Sequence, residues 1–153
     1  MSLVTFLGSF APHLYRMNKE THLSVSASLN GAPYTTTIAI RDHTITADEP
    51  LEDGGADLGP KAHELLCASL AACTAITLRM YIDRKQLAVQ KLEVTCTMDR
   101  KAESGTVDTA LHLSVHVEGD LNDEQRQRVL QIAKMCPVHK TLTNPIRISA
   151  SLA

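Results

Sequence analysis

Chemistry in this chain is sought first in its thiols. Two of the four cysteines, Cys73 and Cys136, stand in surroundings that bear on thiol reactivity. Pro137 biases Cys136 away from the α region and suits the first position of a new helix. Cys136 therefore reads as the N-cap of a short helix from Pro137 to about Leu142. A thiol at a helix N-terminus meets unpaired N–H groups and the positive end of the dipole, and both favour the thiolate, the form that attacks and exchanges. Cys73 instead lies among the small residues Ala71, Ala72, Thr74 and Ala75, which either allow tight packing or leave room beside the sulfur. A lone free cysteine is ordinarily a small buried hydrophobe. A second one with activating surroundings shifts the reading toward redox work.

The element that must position Cys73 is the longest helical pattern in the chain, Gly59 to Lys85. At ~1.5 Å per residue it is ~35 to 40 Å long, longer than a small domain is wide, so it has to be a spine. Gly59-Pro60 is its start signal, because proline fits the first helical turn, where its missing N–H costs nothing. Leu66, Leu70, Cys73 and Thr77 share one stripe, with Glu64 about half a turn of the wheel away. Cys67 lies six residues before Cys73, about 9 Å along the helix and on another face, so it reads as a packing residue.

The rest of the chain supplies strands and a second helix. His22 to Leu29 alternates apolar and polar residues, Asn30-Gly31 gives a turn, and Tyr34 to Ile40 returns as the second arm of a hairpin. A short strand, His43 to Thr46, follows the Arg41-Asp42 turn. Asp48 to Gly59 is a loop whose acidic residues lack the spacing of an EF-hand. Beyond the spine, Leu92, Val94, Cys96 and Met98 share one strand face, which makes Cys96 a core thiol. Thr106 to Val117 returns with Leu111, Leu113, Val115 and Val117 inward and His112 and His116 outward. Asn122 and Gln125 form a capping-box pair opening a helix with Val129, Ile132, Ala133 and Cys136 on its apolar side. Ile146, Ile148, Ala150 and Leu152 alternate as a closing strand. The order β-β-β-α-β-β-α-β argues for an α+β domain with helices on one face of an antiparallel sheet.

Composition narrows the partners. With 153 residues, of which 44% are hydrophobic, the chain is one domain with a core of its own. Aromatic residues at 3% leave that core aliphatic. The net charge of −2 and a pI near 6.4 give no basic footprint for nucleic acid or an anionic membrane. No stretch reads as a bilayer span, and the N-terminal MSLVTFLGSFAPHLY lacks the charged start and cleavage site of a signal peptide. Four sparse cysteines then point to a reducing cytoplasm, where a reactive pair is catalytic rather than structural.

The segments ADEPLEDGGADLGP, ELLCASLAACTAITLRMYIDRK and MCPVHKTL resemble the OsmC/Ohr family of osmotically induced and organic-hydroperoxide-resistance proteins. The resemblance runs from about Tyr34 to the C-terminus. It implies an intertwined homodimer with the long helices central and an active site near each interface. It also implies Cys73 as peroxidatic cysteine and Cys136 as resolving cysteine, joined as a disulfide in turnover. The substrate would be an organic hydroperoxide and the reductant a dithiol such as a lipoyl group, with no cofactor or metal. In the Ohr branch an arginine assists the thiol, held by a glutamate ten residues before it. Here His63 is ten back and Glu64 nine back, while Arg41 is the nearest candidate arginine and Arg79 points about 120° away from Cys73. Those departures fit the wider OsmC-like branch. Two other readings stand beside the peroxidase. One is a non-catalytic dimer that senses oxidation or binds a small apolar ligand. The other is a zinc site built on Cys136 and His139 with Cys73 or His63.

Overall fold

The computed structural model describes residues 21–152. The N-terminal stretch weighed above as a signal peptide lies outside them. A strand from Ser26–Leu29 (β1) pairs antiparallel with Thr36–Ile40 (β2), and β2 with His43–Ala47 (β3), in the order β1-β2-β3. The first strand is shorter than the alternation from His22 suggests. Ser26 lies opposite Ala39, so residues before Val25 would pair with the Arg41-Asp42 turn, where the partner strand has ended.

The spine forms as a 24-residue helix, Ala62–Lys85 (α1). It starts two residues after Pro60, with Lys61 extended as N-cap and its N–H donated to the Glu64 carboxylate at 2.8 Å. Gly59-Pro60 serves docking instead of the first turn. The Pro60 carbonyl accepts the Asp48 N–H at 3.3 Å, and a Cβ on Gly59 would stand 2.3 Å from the Thr46 carbonyl oxygen. Gln86, in the left-handed region, ends the helix.

The chain then runs back as Ala88–Glu103 (β4) and Thr106–Asp120 (β5), an antiparallel ribbon that forms a second sheet. Two sheets therefore stand where the sequence suggested one, since β1-β2-β3 shares no ladder with β4-β5. The inward and outward faces fall as the alternation indicates. His112 and His116 are exposed and lie beside Asp99 and Glu118. Asp123–Ala133 (α2) opens on Asn122, whose side chain accepts the Gln125 N–H while Gln125 returns the bond. Pro137–Thr143 (α3) follows, with Cys136 as N-cap.

The core sits between α1, α2 and the ribbon. Leu78, Tyr81, Val129, Ile132 and Ala133 are buried together, with Leu92, Val94, Val115 and Val117 packed against them. The buried side of α1 is Leu70, Thr74, Leu78, Tyr81 and Ile82, a row of i, i+4 and i+3 steps that places Cys73 and Thr77 at its edge. Ile146 to Leu152 form no strand, because no ladder position among the described residues receives them, and Ile148 is 91% exposed. The reading that no stretch could span a bilayer is also corrected. By length and composition α1 could cross a membrane, with a mean hydropathy of 1.7 over its most apolar window, because its apolar residues lie on all sides instead of along one stripe.

Candidate functional site: a thiol pair between two helices

The tertiary fold brings Cys73 and Cys136 together. Cys73 projects from the middle of α1, and α2 carries the chain back so that the start of α3 sets Cys136 against it. The two side chains lie near enough for each to act on the other's ionisation, and both are free thiols. Cys136 is 0% exposed, whereas Cys73 is half-buried and is the more exposed of the two.

The pair is electrostatically asymmetric. Burial, and then the S–H that Cys73 directs at Cys136, push the Cys73 thiol above its ordinary range, against a weaker opposing influence of the Val138 N–H; the nearby Thr77 hydroxyl donates to the Cys73 carbonyl at 2.8 Å. Burial is also the largest influence on Cys136 and opposes its ionisation. There it is outweighed by hydrogen bonds from Cys73, the His139 N–H, the Thr74 hydroxyl and the Val138 N–H, which hold Cys136 below its ordinary range. The first proton lost from the pair therefore leaves charge on Cys136, with Cys73 donating its S–H to it. The sequence indicated an activated Cys136 from its N-cap position. Thr74, Thr77 and Val138 were not singled out, and Thr74 was noted only for its size.

The supporting residues named from sequence are not gathered here. Arg41 stands exposed in the β2–β3 turn, without a hydrogen bond or ion pair among the described residues. His63 is exposed in the first turn of α1, and the Glu64 carboxylate is bonded to the Lys61 N–H as a helix cap. Arg79 is paired with Asp83, four residues on, with its Nε 3.0 Å from Oδ2. Among the described residues, no arginine is one of the groups that set the ionisation of either thiol. Nor does any cluster of three or more His, Cys, Asp or Glu side chains there have the placement to hold a metal ion. His139 acts on Cys136 through its backbone N–H.

A groove of about 640 Å³ runs between β5, α2 and α3, with Leu111, Leu113 and Leu142 among its apolar residues and His112, Gln131 and Lys134 among its polar ones, and neither thiol lines it.

A two-layer α+β chain with a cysteine pair shared between a long helix and the start of a short one defines a class of thiol protein. A family model described as OsmC-like protein matches residues 54–151, and the chain belongs to that family. Among solved structures, an OsmC-like protein from Mycoplasma pneumoniae superposes with a TM-score of 0.70 at 22% identity, covering 81% of this chain and 89% of that one. An organic hydroperoxide resistance protein OsmC from Legionella pneumophila gives 0.64 at 16% identity, covering 80% and 90%. The organic hydroperoxide resistance protein OhrB of Bacillus subtilis gives 0.61 at 19%, covering 80% and 91%. At these identities the likeness is one of fold. No curated protein sequence matches the chain. Proteins of this family are soluble, so the long apolar α1 is read as a core helix.

Proposed function

We propose that the chain is a thiol-dependent peroxidase for organic hydroperoxides, with Cys73 attacking and Cys136 resolving. The observation that carries this reading is the closeness of the two thiols, with Cys73 the more exposed member. The family and the hydroperoxide-resistance names of its structural neighbours support the substrate class.

When the pair loses its first proton, the charge is held on Cys136 and the remaining proton on Cys73. Attack begins when that proton crosses the sulfur–sulfur hydrogen bond to Cys136. The Cys73 thiolate then attacks the terminal peroxide oxygen and the O–O bond breaks, giving a Cys73 sulfenic acid and an alkoxide that takes a proton from solvent and leaves as the alcohol. The Cys136 thiol next condenses with the sulfenic acid, forming the disulfide and releasing water. An external dithiol, of which a lipoyl group is one example, returns both thiols by exchange. No step draws on a metal or cofactor. The unit is proposed to be a homodimer in the cytoplasm, where a reducing pool keeps four free cysteines reduced.

Steady-state reduction of tert-butyl hydroperoxide with a dithiol tests the reading. Wild type is expected to turn over many times and Cys73→Ser to fall to background. Cys136→Ser is expected to stop after one equivalent, with a sulfenic acid that dimedone traps at Cys73. One observation favours a second reading: no arginine among the described residues reaches the pair. If wild type consumes no more than one equivalent of peroxide, the chain is a redox-responsive or apolar-ligand-binding dimer and not a peroxidase.

A further inference from the structure

Away from the Cys73–Cys136 pair, the other two cysteines also face one another. Cys67 lies on α1 and Cys96 on β4, and the chain between them folds back at Gln86–Leu87. From Cys67 to Lys85 the helix rises 18 steps of ~1.5 Å, about 27 Å. From Ala88 to Cys96 the strand rises 8 steps of ~3.3 Å, about 26 Å. The two residues are therefore level across the helix–strand layer. Cys96 also shares the strand face of Leu92 and Val94, the face packed toward α1. The two side chains are near enough for Cys67 to act on the ionisation of Cys96, whose S–H is directed at the Thr97 carbonyl at 3.9 Å, and both thiols are half-buried and free.

We propose that Cys67 and Cys96 form a second redox-active site, a dithiol that closes to a disulfide by exchange with low-molecular-weight disulfides and fastens the first half of α1 to β4. The order of events follows from their surroundings. Burial, and then the charge of Cys67, push the Cys96 thiol up to about 11, so Cys96 keeps its proton at neutral pH and Cys67 starts the exchange. The Cys67 thiolate attacks one sulfur of the small disulfide, forming a mixed disulfide and expelling one thiolate. Cys96 then loses its proton to solvent and attacks the Cys67 sulfur. The Cys67–Cys96 bond forms, and the second small thiol leaves as a thiolate that takes up a proton. Two protein thiols are oxidised and one small disulfide is reduced.

The test is run on Cys73→Ser/Cys136→Ser, in which the first pair is gone, so the outcome is independent of the peroxidase reading. The protein is exposed to glutathione disulfide, quenched with acid, alkylated and digested with trypsin without reduction. The expected result is loss of both alkylatable thiols, no retained glutathione, and a linked pair of peptides 62–79 and 92–100. Adding Cys96→Ser should leave glutathione held on Cys67. Wild type treated alike should show the same link, assigned to Cys67 by fragmentation. The proposal is overturned if Cys67 keeps its glutathione while Cys96 is present. It is also overturned if both thiols stay alkylatable, or if the link is missing from wild type.

Discussion

The hydroxyl of Thr74 is fully enclosed and makes no hydrogen bond of ordinary geometry among the described residues. It lies within reach of the Cys136 sulfur and helps to hold that thiol below its ordinary range. A buried donor without a partner costs stability, and a thiolate is a far better acceptor than a thiol, so Thr74 is placed to favour the ionised pair. Replacing it with the near-isosteric valine removes the donor and keeps the volume. In Thr74→Val the thiolate absorbance near 240 nm is expected to rise at higher pH than in wild type. Peroxide turnover at pH 7 is expected to fall roughly tenfold and recover as the pH is raised, in proportion to one lost hydrogen bond to a charged group. An unchanged absorbance profile would remove Thr74 from the site.

Among the elements, the segment between β3 and α1 does more than connect. Asp48 is buried and its carboxylate accepts from the Thr35 hydroxyl at 3.1 Å and from the N–H groups of Glu49, Ala56 and Leu58 at 2.9, 3.2 and 3.3 Å. The largest influence on its ionisation is burial, which opposes the charge. The four hydrogen bonds together outweigh it and hold the carboxyl below its ordinary range. A depressed carboxyl stabilises the fold above its unfolded pKa, and that contribution is lost as the pH falls through the folded one. Wild type should therefore exceed Asp48→Asn in urea midpoint at pH 6, and the gap should shrink below pH about 4. An equal gap at pH 6 and pH 3 would assign the loss to shape instead of charge.

At the scale of the whole molecule, much of the apolar surface has nothing against it. Ile76 and Met80 on α1 are 62% and 49% exposed, Leu23, Val25 and Leu29 around β1 are open, and the alternating tail from Ile146 runs free. Apolar surface on that scale calls for a cover, and a second copy of the chain offers a matching α1 and unpaired strand edges. Sedimentation is expected to show a dimer at micromolar concentration, with Ile76→Glu shifting the protein toward monomer and lowering its thermal midpoint. A wild-type monomer at that concentration would rule the homodimer out.

Local rules carried the sequence a long way. Alternation in β4 and β5 named the inward residues, Asn122 and Gln125 named a helix start, and Pro137 named Cys136 as a cap, because each signal depends only on near neighbours. Contacts between distant segments were out of its reach. The split into two sheets, the docking of Gly59-Pro60 on β3 and the facing of Cys67 with Cys96 each depend on where the chain returns after a turn. The joining of Cys73 with Cys136 was available only through resemblance, whereas the N-cap position of Cys136 already marked it as the sulfur favoured to ionise. Periodicity determines which way a side chain points from its own element. The packing of α1, α2, α3 and β4 alone decides what it then meets, and the thiol chemistry lies in those meetings.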